Sequence, residues 1–171
     1  GHGDGVAFVG FLSDGRMLTG SLDRTLKRWP ADGGAAEATF AGHQDYLTCA
    51  AFARNGSLSA SGGFDKTVRL WDIPSATPVG VLSGHGSTVQ CVAVDSKGKL
   101  IASAGDDLTI MLWDAETKAT IKSVAGHSRA IEGLAFSPDD QILASAGADG
   151  AIRLWRTPEE PRIWSAQPLA K

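Results

Sequence analysis

The chain has 171 residues, 43% of them apolar and 20% charged, the balance of a folded domain rather than a disordered segment. Sixteen basic against 19 acidic residues, a net charge of -3, leave no basic excess for nucleic acid, and no apolar run reaches the ~18 residues of a membrane span. Two cysteines are too few for a disulfide-stapled scaffold. The chain is therefore read as having neither nucleic-acid nor membrane partners. It begins at Gly1 rather than Met, so its natural start is expected to be missing, and the compartment is left open.

Four tryptophans, Trp29, Trp71, Trp113 and Trp155, stand 42 residues apart and divide the chain into four units, 1–41, 42–83, 84–125 and 126–171. In unit one, Ser13-Asp14-Gly15 is the first turn. This unit is one residue short between His2 and Trp29, which makes its second strand the hardest to place. In unit two, residues 47–52 form a short apolar inner strand, and Arg54-Asn55-Gly56 a hairpin turn whose Asn-Gly tolerates positive φ. Residues 58–62 are the second strand, Asp65-Lys66 the next turn, and 67–71 an alternating third strand. Pro74 and Pro78 break the chain before an outer strand at 79–82. Ser96-Lys97-Gly98 and Pro138-Asp139-Asp140 are the first turns of units three and four, and residues 161–167 supply an outer strand to unit four. Trp164, off the lattice, is read as packing on that outer strand. No stretch carries helical periodicity, so the fold class is all-β, built from four-stranded antiparallel blades.

Other columns share the 42-residue lattice. Gly-His pairs fall at His2, His43, His85 and His127. An aspartate precedes each tryptophan by six residues, at Asp23, Asp65, Asp107 and Asp149. A hydroxyl precedes it by ten, at Thr19, Ser61, Ser103 and Ser145. On these residues the chain resembles the WD40-repeat family, whose units run 40–45 residues with a Gly-His … Trp-Asp pattern. Trp71-Asp72 and Trp113-Asp114 match the dipeptide in full; Trp29-Pro30 and Trp155-Arg156 keep only the tryptophan. The resemblance implies a β-propeller and a buried network in which aspartate accepts from histidine, histidine faces the hydroxyl, and the hydroxyl meets the indole N–H. Members usually have more than four blades and close one blade with both chain ends. The chain is accordingly expected to be a piece of a larger propeller, and on its own to self-associate through two open flanks.

Histidine, serine and aspartate also make hydrolase triads, but a hydrolase needs one such site with an oxyanion hole, whereas this set recurs four times with a tryptophan attached. The histidines lack the close-spaced second ligand of a zinc site. Cys49 and Cys91, one repeat apart, read as small buried hydrophobes. Gly33-Gly34 and Gly62-Gly63 lack the spacing of a phosphate loop. Catalytic residues, cofactor and metal are all expected to be absent.

The leading functional reading is a non-catalytic scaffold for protein or peptide partners. A second is a sensory or regulatory segment of a larger protein whose enzyme or cytochrome domain lies elsewhere. The resemblance places docking on the face reached by residues four and six after each lattice glycine and the residue before each lattice aspartate. These are Gly5, Ala7 and Leu22; Tyr46, Thr48 and Phe64; Thr88, Gln90 and Asp106; and Ala130, Glu132 and Ala148. Unlike the network columns, they differ from unit to unit, as a surface for one asymmetric partner would. Tyr46 and Phe64 are the expected apolar anchors, with Gln90, Asp106 and Glu132 as an acidic, polar flank.

Overall fold

A computed structural model describes residues 1–157, all of them in strands, turns and connecting loops. Blade one comprises β1 (Val6–Phe11), β2 (Met17–Ser21), β3 (Thr25–Trp29) and β4 (Ala38–Ala41). Blade two comprises β5 (Leu47–Phe52), β6 (Leu58–Gly63), β7 (Thr67–Asp72) and β8 (Thr77–Ser83). Blade three comprises β9 (Val89–Val94), β10 (Leu100–Gly105), β11 (Thr109–Asp114) and β12 (Thr120–Ala125). Blade four shows β13 (Ile131–Phe136), β14 (Ile142–Gly147) and β15 (Ile152–Arg156) among the described residues. Each blade is an antiparallel meander, with strands paired in chain order. The outer strand expected at 161–167, and Trp164 with it, lie outside the described residues.

Turn chemistry sets the meander. The first hairpin of each blade closes on a residue at positive φ: Gly15 at 86°, Gly56 at 70°, Gly98 at 73° and Asp140 at 61°. Glycine adopts that region without a Cβ penalty, and aspartate is among the few side chains that tolerate it. The residue missing from unit one falls in this turn. Phe11 pairs with Met17, six positions on, where Phe52 pairs with Ser59, seven positions on, so the second strand itself is intact. One expectation needs correction. Pro78 does not break the chain before the outer strand but lies inside β8, opposite Trp71. The ladder shifts register between Leu70 and Trp71, and a bulge on an outer edge strand accommodates a residue that lacks an N–H.

First strands of successive blades lie against one another, β5 beside β1 and β9, and β9 beside β13. The hydrophobic core therefore sits between blades. Alternation sends side chains to opposite faces of each sheet. In blade three Val92, Met111 and Trp113 pack toward blade two, with Val68, Leu70 and Leu82. Ala93, Ile110 and Leu112 pack the other way, with Ile131, Leu143 and Trp155. Every interior blade thus needs a neighbour on both sides.

Candidate functional site

The lattice residues meet four times with nearly the same geometry. In blade three His85 Nδ1 lies 2.7 Å from Asp107 Oδ2, His85 Nε2 lies 2.7 Å from Ser103 Oγ, and Trp113 Nε1 donates to Ser103 Oγ at 2.7 Å. In blade two the corresponding distances, His43–Asp65, His43–Ser61 and Trp71–Ser61, are all 2.8 Å. Blade one uses His2, Asp23, Thr19 and Trp29 at 2.7–2.8 Å, and blade four uses His127, Asp149, Ser145 and Trp155 at 2.8–2.9 Å. The indole N–H donates to the hydroxyl in every blade. With its proton on Nδ1, an imidazole donates to the carboxylate and its Nε2 accepts from the hydroxyl. The hydroxyls of Ser61, Ser103 and Ser145 are buried beneath the indoles, closed to any substrate.

The aspartate does more than meet histidine. Asp107 Oδ2 also accepts the Gly86 N–H at 2.9 Å, while Oδ1 accepts the Thr109 N–H at 3.1 Å. Asp23 and Asp65 repeat this with Gly3 and Thr25, and with Gln44 and Thr67. The threonine two residues after the aspartate escaped the sequence reading, although Thr25, Thr67 and Thr109 sit on the same lattice. Arg153 was missed too: its Nη1 lies 3.1 Å from Asp149 Oδ2, pairing a cation with the blade-four carboxylate.

These environments fix a pH response. Burial pushes the Asp65 carboxyl up, but the Gln44 N–H, His43 and the Thr67 hydroxyl outweigh it and hold it below the ordinary carboxylate value. His127 and the Ser128 N–H hold Asp149 down likewise. Burial depresses His43 below 6.5, against the pull of Asp65, with Arg69 adding to the depression. A carboxyl depressed on folding stabilises above its unfolded value, about 3.9, and that contribution is lost as pH falls. A histidine depressed on folding costs stability once the unfolded chain takes its proton, below 6.5. Urea midpoints should therefore decline from pH 6.5 downward and fall more steeply below about pH 4. His43→Asn should flatten the upper part of the decline; midpoints constant between pH 8 and 5 in the parent chain would contradict the buried neutral imidazole.

A second set of residues lies on one face of the blades. Each first strand carries a register shift that skips one residue: Ala7, Thr48, Gln90 and Glu132. Such bulges re-aim the skipped side chain. Beside each bulge one backbone bond ties the strand entry to the second turn: Phe64 N–H to Tyr46 O at 2.9 Å, and Asp106 N–H to Thr88 O at 3.1 Å. That bond sets Tyr46 and Phe64 side by side. Their rings meet edge to face with centroids 5.9 Å apart, and both remain about half exposed, at 48% and 46%. Gln90 Nε2 donates to both carboxylate oxygens of Asp106 at 3.2 Å. Glu132 is exposed at the same bulge one blade on, outside both pairs. Thr48 turns inward instead and donates to Gly62 O and Val89 O. Beside Tyr46 lies an open groove of about 510 Å³ lined by Asp4, Leu22, Arg24 and Asp45.

Among the described residues no three histidine, cysteine or acidic side chains gather where one metal ion could bind, and no helix is long and apolar enough to cross a membrane. Burial pushes the Cys49 thiol up to about 12 and raises Cys91 as well, so both behave as small hydrophobes.

Four radially stacked meanders, each tied by one histidine–hydroxyl–tryptophan–aspartate network, define a β-propeller repeat protein. The WD domain, G-beta repeat family model matches residues 1–30, 34–72, 76–114 and 118–156, and the chain belongs to that family. Its members serve in general as protein-interaction scaffolds and are generally non-catalytic. No curated protein matches the chain. Among solved structures, the one described as "Structure of U3-55K" is similar at a TM-score of 0.84 and 22% identity, over 94% of this chain. The match spans 51% of that chain, so four blades account for about half its length. The fold recurs in 1394 solved chains, which is why function must be argued from particular surface residues.

Proposed function

We propose that this chain is a non-catalytic scaffold that docks a protein or peptide on the face carrying Tyr46 and Phe64. The observation that carries the reading is the exposed aromatic pair, held by a backbone bond at a bulge, where folding alone gives no reason to keep two large rings half in water. Aromatic anchors of this kind often contribute about 2 kcal/mol or more to an interface. Gln90, Asp106 and Glu132 form the polar flank, and the adjoining groove adds Asp4 and Asp45 against one cation, Arg24. A partner segment with apolar residues followed by lysine or arginine complements that arrangement.

Tyr46→Ala with Phe64→Ala tests it. The pair is exposed, so the double variant should melt within a few degrees of the parent and lose partner capture by tenfold or more. Asp106→Asn with Glu132→Gln should weaken capture less and reduce its salt dependence. Full capture by a normally melting Tyr46/Phe64 double variant would remove this face from consideration.

A further inference from the structure

The outer strands β4, β8 and β12 each leave one row of backbone N–H and C=O groups without a neighbouring strand. Two of them are blunted in ways that discourage pairing with another chain: β4 has only four residues, and β12 carries Lys122. β8 has seven residues and no charge. Pro78 withdraws one N–H near its start and leaves residues 79–83 open. Blade two lies between blades one and three, so this edge is exposed with both neighbouring blades in place. The strand is also held from both sides. Arg28 of blade one donates to Ile73 O and Pro74 O in the turn before it. The Lys118 stem of blade three lies on Gly80, where a Cβ would come within 2.4 Å of its Cε. The opposite face stays open, with Val79 37% and Val81 44% exposed. The corresponding positions are Glu37 and Thr39 in blade one and Ile121 and Ser123 in blade three, so only blade two sets two aliphatic side chains there.

A cation stands behind this face. Val81 pairs across the sheet with Arg69, so the two side chains share one face. Lys27 and Arg153, in the same column, have partners: Lys27 Nζ donates to Gly1 O at 2.9 Å, and Arg153 Nη1 to Asp149 Oδ2 at 3.1 Å. Arg69 makes no hydrogen bond or ion pair with any described residue, and its Nε is the one buried side-chain nitrogen or oxygen among them without a partner. Glu37, the acid at the edge of blade one, is taken by Arg28 at 3.1 Å. The planar fork of Arg69 thus lacks the carboxylate it fits. We propose that β8 accepts an extended acidic segment of a partner protein as a fifth strand of blade two. Backbone pairing along residues 79–83 supplies the hold, Val79 and Val81 receive apolar side chains at alternate positions, and a glutamate or aspartate on the same face meets Arg69. A second copy of β8 brings no acid to Arg69, since Thr77–Ser83 contains none. The site is separate from Tyr46 and Phe64, which stand at the β5–β6 side of the same sheet, with β7 between β6 and β8.

The probe is a capped nine-residue peptide that alternates valine with threonine and carries glutamate at the central valine position, titrated against residues 1–171 by fluorescence anisotropy and amide hydrogen exchange. Binding should slow exchange along residues 79–83, leave β4 and β12 unchanged, and be about tenfold tighter than for the same peptide with a central lysine. N-methylating the peptide amides should abolish it, because a ladder needs those donors. Arg69→Met, which copies Met111 of blade three, should melt near the parent and bind the glutamate and lysine peptides within about twofold of each other. Val81→Glu, at an exposed position, should weaken the glutamate peptide about tenfold by answering Arg69 from within the chain. Tyr46→Ala with Phe64→Ala should leave the titration unchanged, which separates failure of this edge from failure of the docking face. A glutamate peptide that does not bind at millimolar concentration, that slows exchange only elsewhere, or that the parent binds no better than the lysine peptide would overturn the inference. So would an Arg69→Met chain that keeps the preference, or exchange along 79–83 that slows with protein concentration alone, which would make the edge a contact between copies.

Discussion

Asp107→Ala should lower stability by about 3 kcal/mol and Asp114→Ala by about 1 kcal/mol, although both lie on or beside β11. Asp107 accepts from His85, Gly86 and Thr109. Its removal strands an imidazole that is almost wholly enclosed and unhooks the loop before β9 from the second turn. A buried donor left without a partner costs about 1–3 kcal/mol, and bonds to a charged acceptor lie at the upper end of the hydrogen-bond range. Asp114 is not idle. Its Oδ1 accepts the Glu116 and Thr117 N–H groups at 2.9 and 2.7 Å, capping the turn between β11 and β12. That turn is exposed, water replaces the lost acceptor, and the chain fills the same column with Pro30 and Arg156. Urea midpoints of the two variants measure the difference directly; equal shifts would show that the network adds nothing beyond an ordinary turn cap.

The blade architecture was legible because each column recurs. One tryptophan suggests little, but Trp29, Trp71, Trp113 and Trp155 at equal spacing, with histidine, hydroxyl and aspartate in step, leave few alternatives to a repeat. What periodicity could not show were features that depend on local backbone path. Pro78 reads as a breaker, yet the bulge beside it turns a missing N–H into an acceptable edge position. The short first unit could not reveal that its deletion falls in a turn, where loop length is free, rather than in a strand, where it would flip side chains across the sheet. The docking face was legible as a set of variable positions. That Tyr46 meets Phe64, and Gln90 meets Asp106, follows from backbone bonds between strand entry and second turn, which no composition or spacing encodes. Thr48 belonged to the same column but spends its hydroxyl on Gly62 O of its own blade and Val89 O across the seam.

Trp113→Ala should cost about 4 kcal/mol in dilute solution, whereas Trp29→Ala should cost about 2 kcal/mol. The indole hydrogen bond is the same in both, 2.7 Å to Ser103 Oγ and 2.8 Å to Thr19 Oγ1, so it cancels in the comparison. What differs is packing. Trp113 is enclosed by Val68, Leu70 and Leu82 of the preceding blade. Trp29 is only partly buried, so truncating it removes fewer contacts and leaves a less enclosed cavity. Urea midpoints of both variants give the two numbers required. Equal penalties would mean that the hydrogen bond, not packing between blades, sets the contribution of these indoles.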